Sequence, residues 1–367
     1  STYYWAPTGA IAAVVTAPIA APYAGRMLGT YHTSWDTSFK MTDVPPSEFN
    51  FMYLFHAVFD GPRPDTDQNG DGSIIYNHYA NFGRDQVQAV RARGQKVILT
   101  VGGANNGYNF QTQAQAANFV RTFKETYAEL GGVDGLDMNM FELYVRKLPA
   151  DQKTAMPGFL LWIAQQLKAT YGPGFLITAP PSADPGDMAM IAPMMEARVM
   201  DWVAPQYYDW VGFKAPGFVV NDIDKWCAKF GEERVMVGFS SNYNYGDSLT
   251  QEEVVREWTE VLKRHPRIKG YFCWSSQHNL KGGNAWGKKM KALAAVTAVA
   301  PVAPTPVPAP VPTPAPTPTP VLTAAWKATT VYKLGAEVMY YRRKYVATQD
   351  AFKAIRPSVT THWKKVL

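Results

Sequence analysis

"DGLDMNMFEL", residues 134–143, sets three acidic groups and one amide into an otherwise apolar run. Side chains alternate along a strand, so Asp137, Asn139 and Phe141 share one face and Glu142 takes the other. Polar groups in a row on an inward face are costly unless they line a solvent pocket. The stretch therefore reads as a buried strand whose carboxyl end opens into a site.

Seven more short apolar runs surround it: "RMLGTYHTSW" (26–35), "FNFMYLFHAVF" (49–59), "KVILTVGG" (96–103), "GFLITAPP" (174–181), "DWVAPQYYDW" (201–210), "RVMVGFSSNY" (234–243) and "KGYFCWSS" (269–276). Amphipathic stretches lie between several of them. "QEEVVREWTEVLKRH" (251–265) follows Ser248 and Thr250, both suitable caps. Strands alternating with helices at this spacing predict an α/β chain folded as a (β/α)8 TIM barrel, with chemistry at the carboxyl ends of the strands. A doubly wound open sheet is the alternative, but the chain carries no Gly-rich phosphate loop.

Bulk properties set the frame. The chain has 367 residues, 47% hydrophobic and 18% charged, with mean hydropathy −0.21. This is a soluble composition, long enough for one large domain and a small one. No stretch approaches the roughly 20 apolar residues of a membrane span.

Residues 1–25 are Ala/Pro-rich, broken by Pro7, Pro18 and Pro22, without the basic start of a secretory signal. They read as a leader, or as a peptide that docks on a protein partner through Tyr3, Tyr4 and Trp5. Cys227 and Cys273 allow at most one internal disulfide.

The strongest boundary is "PVAPTPVPAPVPTPAPTPTP" (301–320), within a linker at 299–322. Proline at nearly every second position forbids helix and inner strand. Fully extended it spans about 60 Å at ~3.1 Å per residue. Beyond it, residues 323–367 hold nine Lys/Arg against two acidic residues, a balance of +7 that leaves about −1 of the formal +6 to the rest of the chain. A basic module favours acidic surfaces. It contains no nucleic-acid motif, so a solvated face is the plainer reading.

On these residues a resemblance becomes specific. Asp134, Gly135, Leu136 and Asp137 match the D-G-x-D-x-D-x-E strand of the family 18 glycoside hydrolases, the chitinase-type barrels. Asn139 stands where that pattern has its third Asp, and Phe141 where it has its Glu. "TVGG" (100–103) resembles the family's S-x-G-G strand and "QYYD" (206–209) its Q-x-Y-N/D strand. Trp274 falls where the family has a tryptophan floor. The resemblance covers residues 26–298.

The resemblance implies a substrate-assisted, retaining mechanism on chitin or other N-acetylglucosamine glycans, with no cofactor required. The sugar's own acetamido oxygen attacks, and a carboxylic acid protonates the departing oxygen. Asp137 would be the deep carboxylate, and Asn139 would orient the acetamido group. Tyr208 would donate to its oxygen and Trp274 would stack under the ring. Gln206, Asp209, Tyr31, Trp35 and Phe141 would complete the pocket. Phe141 has no proton to give, which predicts weak or absent hydrolysis.

Glu142 is the alternative acid if a β-bulge turns it into the cleft; otherwise it pairs at the rim with Arg146 or Lys147. Tyr208 and Trp274 have core packing as their plainer reading.

Two further features stand apart. In "DTDQNGDGSI" (65–74), Asp67, Asn69 and Asp71 fit oxygen ligands of a calcium loop, but position twelve is His78 rather than Glu. An Asx-rich turn explains the same residues.

The tail resembles the family 5/12 carbohydrate-binding modules at Ala325, Trp326, Tyr332, Gly335, Val338, Tyr345, Ala347, Pro357 and Trp363. It lacks aromatics at Gln349 and Asp350. Tyr341 or Phe352 is the remaining candidate for stacking, and most of the matching aromatics suit a small core. The whole predicts an extracellular glycan-binding protein. An active chitinase is one alternative, and a structural component of an exported or virus-like assembly is another.

Overall fold

The computed structural model describes residues 25–60, 70–76, 82–104, 106–140, 153–242, 248–296, 337–340, 343–347 and 363–365. The chain divides into two compact units, Ser1–Val302 and Ala303–Leu367.

In the first unit, eight parallel strands form a barrel. They are β1 (Met27–Thr33), β2 (Phe51–Phe59), β4 (Lys96–Gly102), β5 (Gly135–Asn139), β6 (Leu176–Ala179), β7 (Trp202–Val203), β8 (Met236–Ser240) and β9 (Gly270–Trp274). Pairing runs β7-β6-β5-β4-β2-β1-β9-β8. Parallel bridges Val203↔Val235 and Gln206↔Gly238 close the ring. Each of the eight apolar runs of the sequence supplies one strand. A short β3 (Ile74–Tyr76), not anticipated from the sequence, pairs antiparallel with the end of β2.

Alternation along the strands sorts the core into two layers. Tyr31, Tyr53, Phe55, Ile98, Trp202 and Phe272 fill the barrel interior. Leu54, Leu99, Leu136, Met138, Val237 and Cys273 face the surrounding helices. Leu136 and Met138 thus point outward, and Asp137 and Asn139 point inward with Thr100 on β4.

Interior rings pack closely. Tyr31 lies 4.5 Å from Tyr53 and 5.0 Å from Phe272. The Trp202 indole N–H donates to the Tyr53 hydroxyl at 2.9 Å, which satisfies a polar group that burial would otherwise penalise.

The helices begin where side chains cap them. Thr250 accepts the N–H of Glu253, and Glu253 accepts the N–H of Thr250, closing a capping box on helix Gln251–Arg264. Thr112 and Gln115 do the same for helix Gln113–Glu129.

At the other end of the barrel, Asp134 accepts from Arg91 Nε at 3.0 Å and from the Val97 N–H at 2.9 Å. The first acid of the motif therefore fastens β5 to β4 and to helix Arg84–Ala92, away from the mouth.

Cys227 and Cys273 are free and buried. No helix among the described residues is long and apolar enough to cross a membrane. In the second unit, Glu337–Tyr340, Arg343–Ala347 and Trp363–Lys365 pair as an antiparallel three-stranded sheet. Residues 1–24 of the leader, the linker and the stacking candidates Tyr341 and Phe352 lie outside the described residues.

Candidate active site

The site grows from Asp137. Its carboxylate is fully buried and takes three hydroxyl donors: Tyr31 Oη at 2.7 Å and Thr100 Oγ1 at 2.9 Å on Oδ2, and Thr178 Oγ1 at 2.7 Å on Oδ1. The register explains the convergence, because Thr100 and Thr178 stand directly opposite Asp137 on the two flanking strands. Burial pushes the Asp137 carboxyl up to about 6, against the downward pull of the three hydrogen bonds. Burial, with Asp137 beside it, holds the Tyr31 phenol protonated well above the usual tyrosine range, so Tyr31 is always the donor.

Two residues nearer the mouth, Asn139 is 4% exposed and its Oδ1 has no hydrogen-bond partner among the described residues. A buried amide oxygen without a donor is costly, and a ligand donor would relieve the cost. The Asn139 backbone is fixed by the glycine pair of "TVGG". The Gly103 N–H donates to the Asn139 carbonyl at 2.5 Å. Gly102 takes φ +99°, where a Cβ would fall 2.1 Å from that same oxygen. Only a residue without a side chain lets β4 approach β5 so closely here.

Aromatic rings form the floor. Trp274, at the end of β9, lies 4.9 Å from Phe55, 5.4 Å from Tyr31 and 6.4 Å from Trp35. Tyr208 stacks beside it at 6.5 Å and 19°. Trp35 is half exposed. Gln206 donates its amide N–H to the Pro180 carbonyl at 2.6 Å. That turns its oxygen toward the Tyr208 hydroxyl, which donates to it. Asp209 follows in the left-handed region at φ +63° and is exposed.

A cleft of about 620 Å³ opens here, lined by Ala104 after β4, Ser182 to Asp184 after β6, and Gln206, Tyr208, Asp209 and Trp210 after β7.

The structure therefore brings together Tyr31, Trp35, Asp137, Tyr208 and Trp274, with Gln206 bonded to Tyr208. Tyr31 meets the site from beneath, through Asp137. Phe141 and Glu142 lie outside the described residues, as do Asp67 and Asn69. Asp71 is described, and its carboxylate accepts the Ser73 N–H at 2.9 Å, an Asx turn that leads into β3. Among the described residues no cluster of His, Cys, Asp and Glu is arranged to hold a metal ion.

Sequence reasoning missed Thr100, Thr178 and Phe55. The periodicity of their strands placed them inward, but nothing local pointed to Asp137 or Trp274.

A closed barrel with a buried, hydroxyl-bound carboxylate under an aromatic-floored mouth defines the class of chitinase-type (β/α)8 barrels. The chain belongs to the glycosyl hydrolases family 18, whose family model matches residues 27–279. Exochitinase 1 of Streptomyces olivaceoviridis is 34% identical over 101 residues, 26% of this chain and 17% of that protein. A chitinase of Enterococcus faecalis is 28% identical over 180 residues, 47% of this chain and 48% of that protein. The chain thus spans about half or less of these two curated relatives. The catalytic domain of a family 18 chitinase from the fern Peteris ryukyuensis shares the fold, with TM-score 0.59 at 18% identity over 73% of this chain and 99% of that one.

Proposed function

We propose that the cleft recognises N-acetylglucosamine-containing glycans, chitin among them, with hydrolysis weak or lost. The observation that supports this is the orphaned Oδ1 of Asn139, held two residues from a buried carboxylate at an aromatic mouth. It offers one acceptor to one donor, which an acetamido N–H fits. An amide oxygen accepts that bond as an Asp oxygen would, without the charge.

Trp274 then carries the sugar ring, and Tyr208 turns its hydroxyl from Gln206 to the acetamido oxygen. Asp137, once ionised, stabilises positive charge as the acetamido oxygen closes on the anomeric carbon. At the position of the proton donor the sequence has Phe141. Loss of general acid catalysis costs typically 10²–10⁴-fold in rate, or roughly 3–5 kcal/mol of barrier. An insoluble polymer ligand implies work outside the cell. The tail, residues 323–367, would add a second glycan contact.

The second reading is an active chitinase with Glu142 as the acid, favoured by the names of the two curated relatives. A fluorogenic chitobioside assay on the protein and on Glu142→Gln separates the two. Turnover in the parent that the substitution abolishes rejects the weak-hydrolysis reading. Binding of N-acetylglucosamine oligomers that is unchanged in Asn139→Ala rejects the role of Asn139.

A further inference from the structure

Gln277 lies three residues beyond Trp274, in the helix Ser276–Lys281, and is fully buried. It has no part in the site described above. Parallel pairing of β1 with β9 ends at Thr30 and Cys273. Past that point the Gln277 side chain takes the place of a strand. Its Oε1 accepts the Thr33 N–H at 3.2 Å, and its Nε2 donates to the Thr33 carbonyl at 2.9 Å and to the Asp36 carbonyl at 3.3 Å. One amide therefore holds the backbone on both sides of Trp35. At the rim, Lys281 of the same helix pairs with Asp36 at 2.9 Å. The Ser34 N–H, donating to the Phe55 carbonyl at 2.7 Å, ties the loop to β2.

The amide is itself held in place. Ser276 Oγ donates to Gln277 Oε1 at 3.1 Å, which leaves that hydroxyl to accept from His32 Nδ1 at 2.7 Å. Burial pushes the His32 imidazole down to about 3, so it stays neutral in this role. Trp274 is fixed from another side. Its carbonyl accepts the Ser241 N–H at 2.9 Å and the Ser240 hydroxyl at 3.0 Å. Trp274 thus keeps its place without Gln277, whereas the loop that carries Trp35 depends on it.

We infer that Gln277 is a positioning residue, which seats the β1 loop so that the Trp35 ring stands 6.4 Å from Trp274 before a ligand arrives. For its consequence in binding, the inference rests on the proposed glycan reading, and it adds to that reading a residue no ligand touches. A ring already in place loses little freedom when a ligand binds, whereas a loose one must be ordered at that moment. Without the Gln277 amide, the Thr33 and Asp36 carbonyls lose their donor and the loop shifts to find another.

The test compares Gln277→Met and Gln277→Asn with the parent, on the full chain. Gln277→Met keeps the length of the side chain and removes these bonds. Gln277→Asn keeps the amide and shortens its reach. The first measurement is the exciton couplet of two neighbouring indoles in circular dichroism, taken as the part of the parent spectrum that Trp35→Phe removes. The second is affinity for a thio-linked tetrasaccharide of β-1,4-N-acetylglucosamine, which resists cleavage, by calorimetry. Gln277→Met should lose most of the couplet and bind the tetrasaccharide more weakly by roughly fivefold or more, the effect of ordering loose side chains on binding. Gln277→Asn should move both in the same direction by less, and it decides the matter if Gln277→Met does not fold. Arg91→Met, a destabilising change at the opposite end of the barrel, should keep both at the parental value.

A couplet that survives in the folded Gln277 variants overturns the inference, as does a couplet lost with affinity unchanged. Equal losses in Arg91→Met overturn it too, because they mark a general effect of stability. A parent that does not bind the tetrasaccharide overturns the glycan reading instead, and the couplet alone then decides whether Gln277 seats Trp35.

Discussion

The phenol of Tyr31 donates to Oδ2 of Asp137 at 2.7 Å, joining β1 and β5 through the barrel interior although the two strands are not neighbours in the sheet. The bond ties the deep carboxylate to the wall opposite and places a permanent donor under it.

Tyr31→Phe should cost about 1.5–3 kcal/mol at pH 7, the usual worth of a hydrogen bond to a charged group. The cost should shrink near pH 4, where the Asp137 carboxyl is protonated. Urea unfolding at the two pH values measures it, and an equal loss at both rejects the charged-acceptor account. With one donor gone, the Asp137 carboxyl should also titrate higher than in the parent.

Asp137 itself predicts a pH dependence of stability. Its carboxyl is raised from 3.8 to about 6 on folding. The folded state therefore binds more protons than the unfolded state between these values, and stability falls as pH rises through that window. Below it the group is neutral in both states. Above it the folded protein carries a cost of about 3 kcal/mol, from ~1.4 kcal/mol per pKa unit. Asp137→Asn should lack this slope, so the parent-minus-variant difference in unfolding free energy should decline from pH 4 to pH 6. A flat difference would count against a raised carboxyl. Any turnover should rise as pH passes about 6, because the stabilising charge appears there.

Gly102→Ala should destabilise the barrel by about 2 kcal/mol or more, since its φ of +99° disfavours a side chain and the added Cβ meets the Asn139 carbonyl. Glycan affinity should fall with it, because the displaced carbonyl belongs to the residue that offers the free amide oxygen. A variant of parental stability and affinity would refute the close-approach argument.

Arg91→Met tests the opposite end of β5. Asp134 keeps the Val97 N–H and loses a partly exposed ion pair, so the cost should be about 1 kcal/mol. Oligosaccharide affinity should stay at the parental value. A loss of affinity would show that Asp134 acts at the mouth after all.

Much of this was legible in the residues themselves. Alternation in "DGLDMNMFEL" set Asp137 and Asn139 on one face, and the two core layers divide at those positions. Thr250 announced its helix because capping is a local interaction between residues three apart. The strand β3 was not legible, since three residues carry no period and its pairing on β2 is non-local. The support of Asp137 was not legible either. Its three donors lie 106, 37 and 41 residues away in the chain, and only barrel register sets two of them directly opposite.

The sequence by itself determined the eight strands of the barrel, the inward parity of Asp137 and Asn139, and the order of the family motifs, because period and spacing are properties of the chain. Tertiary structure alone decided that three hydroxyls converge on one carboxylate and that, among the described residues, the Asn139 amide oxygen is buried without a donor. Those are matters of what surrounds a side chain, and surroundings exist only once distant strands have been brought into register.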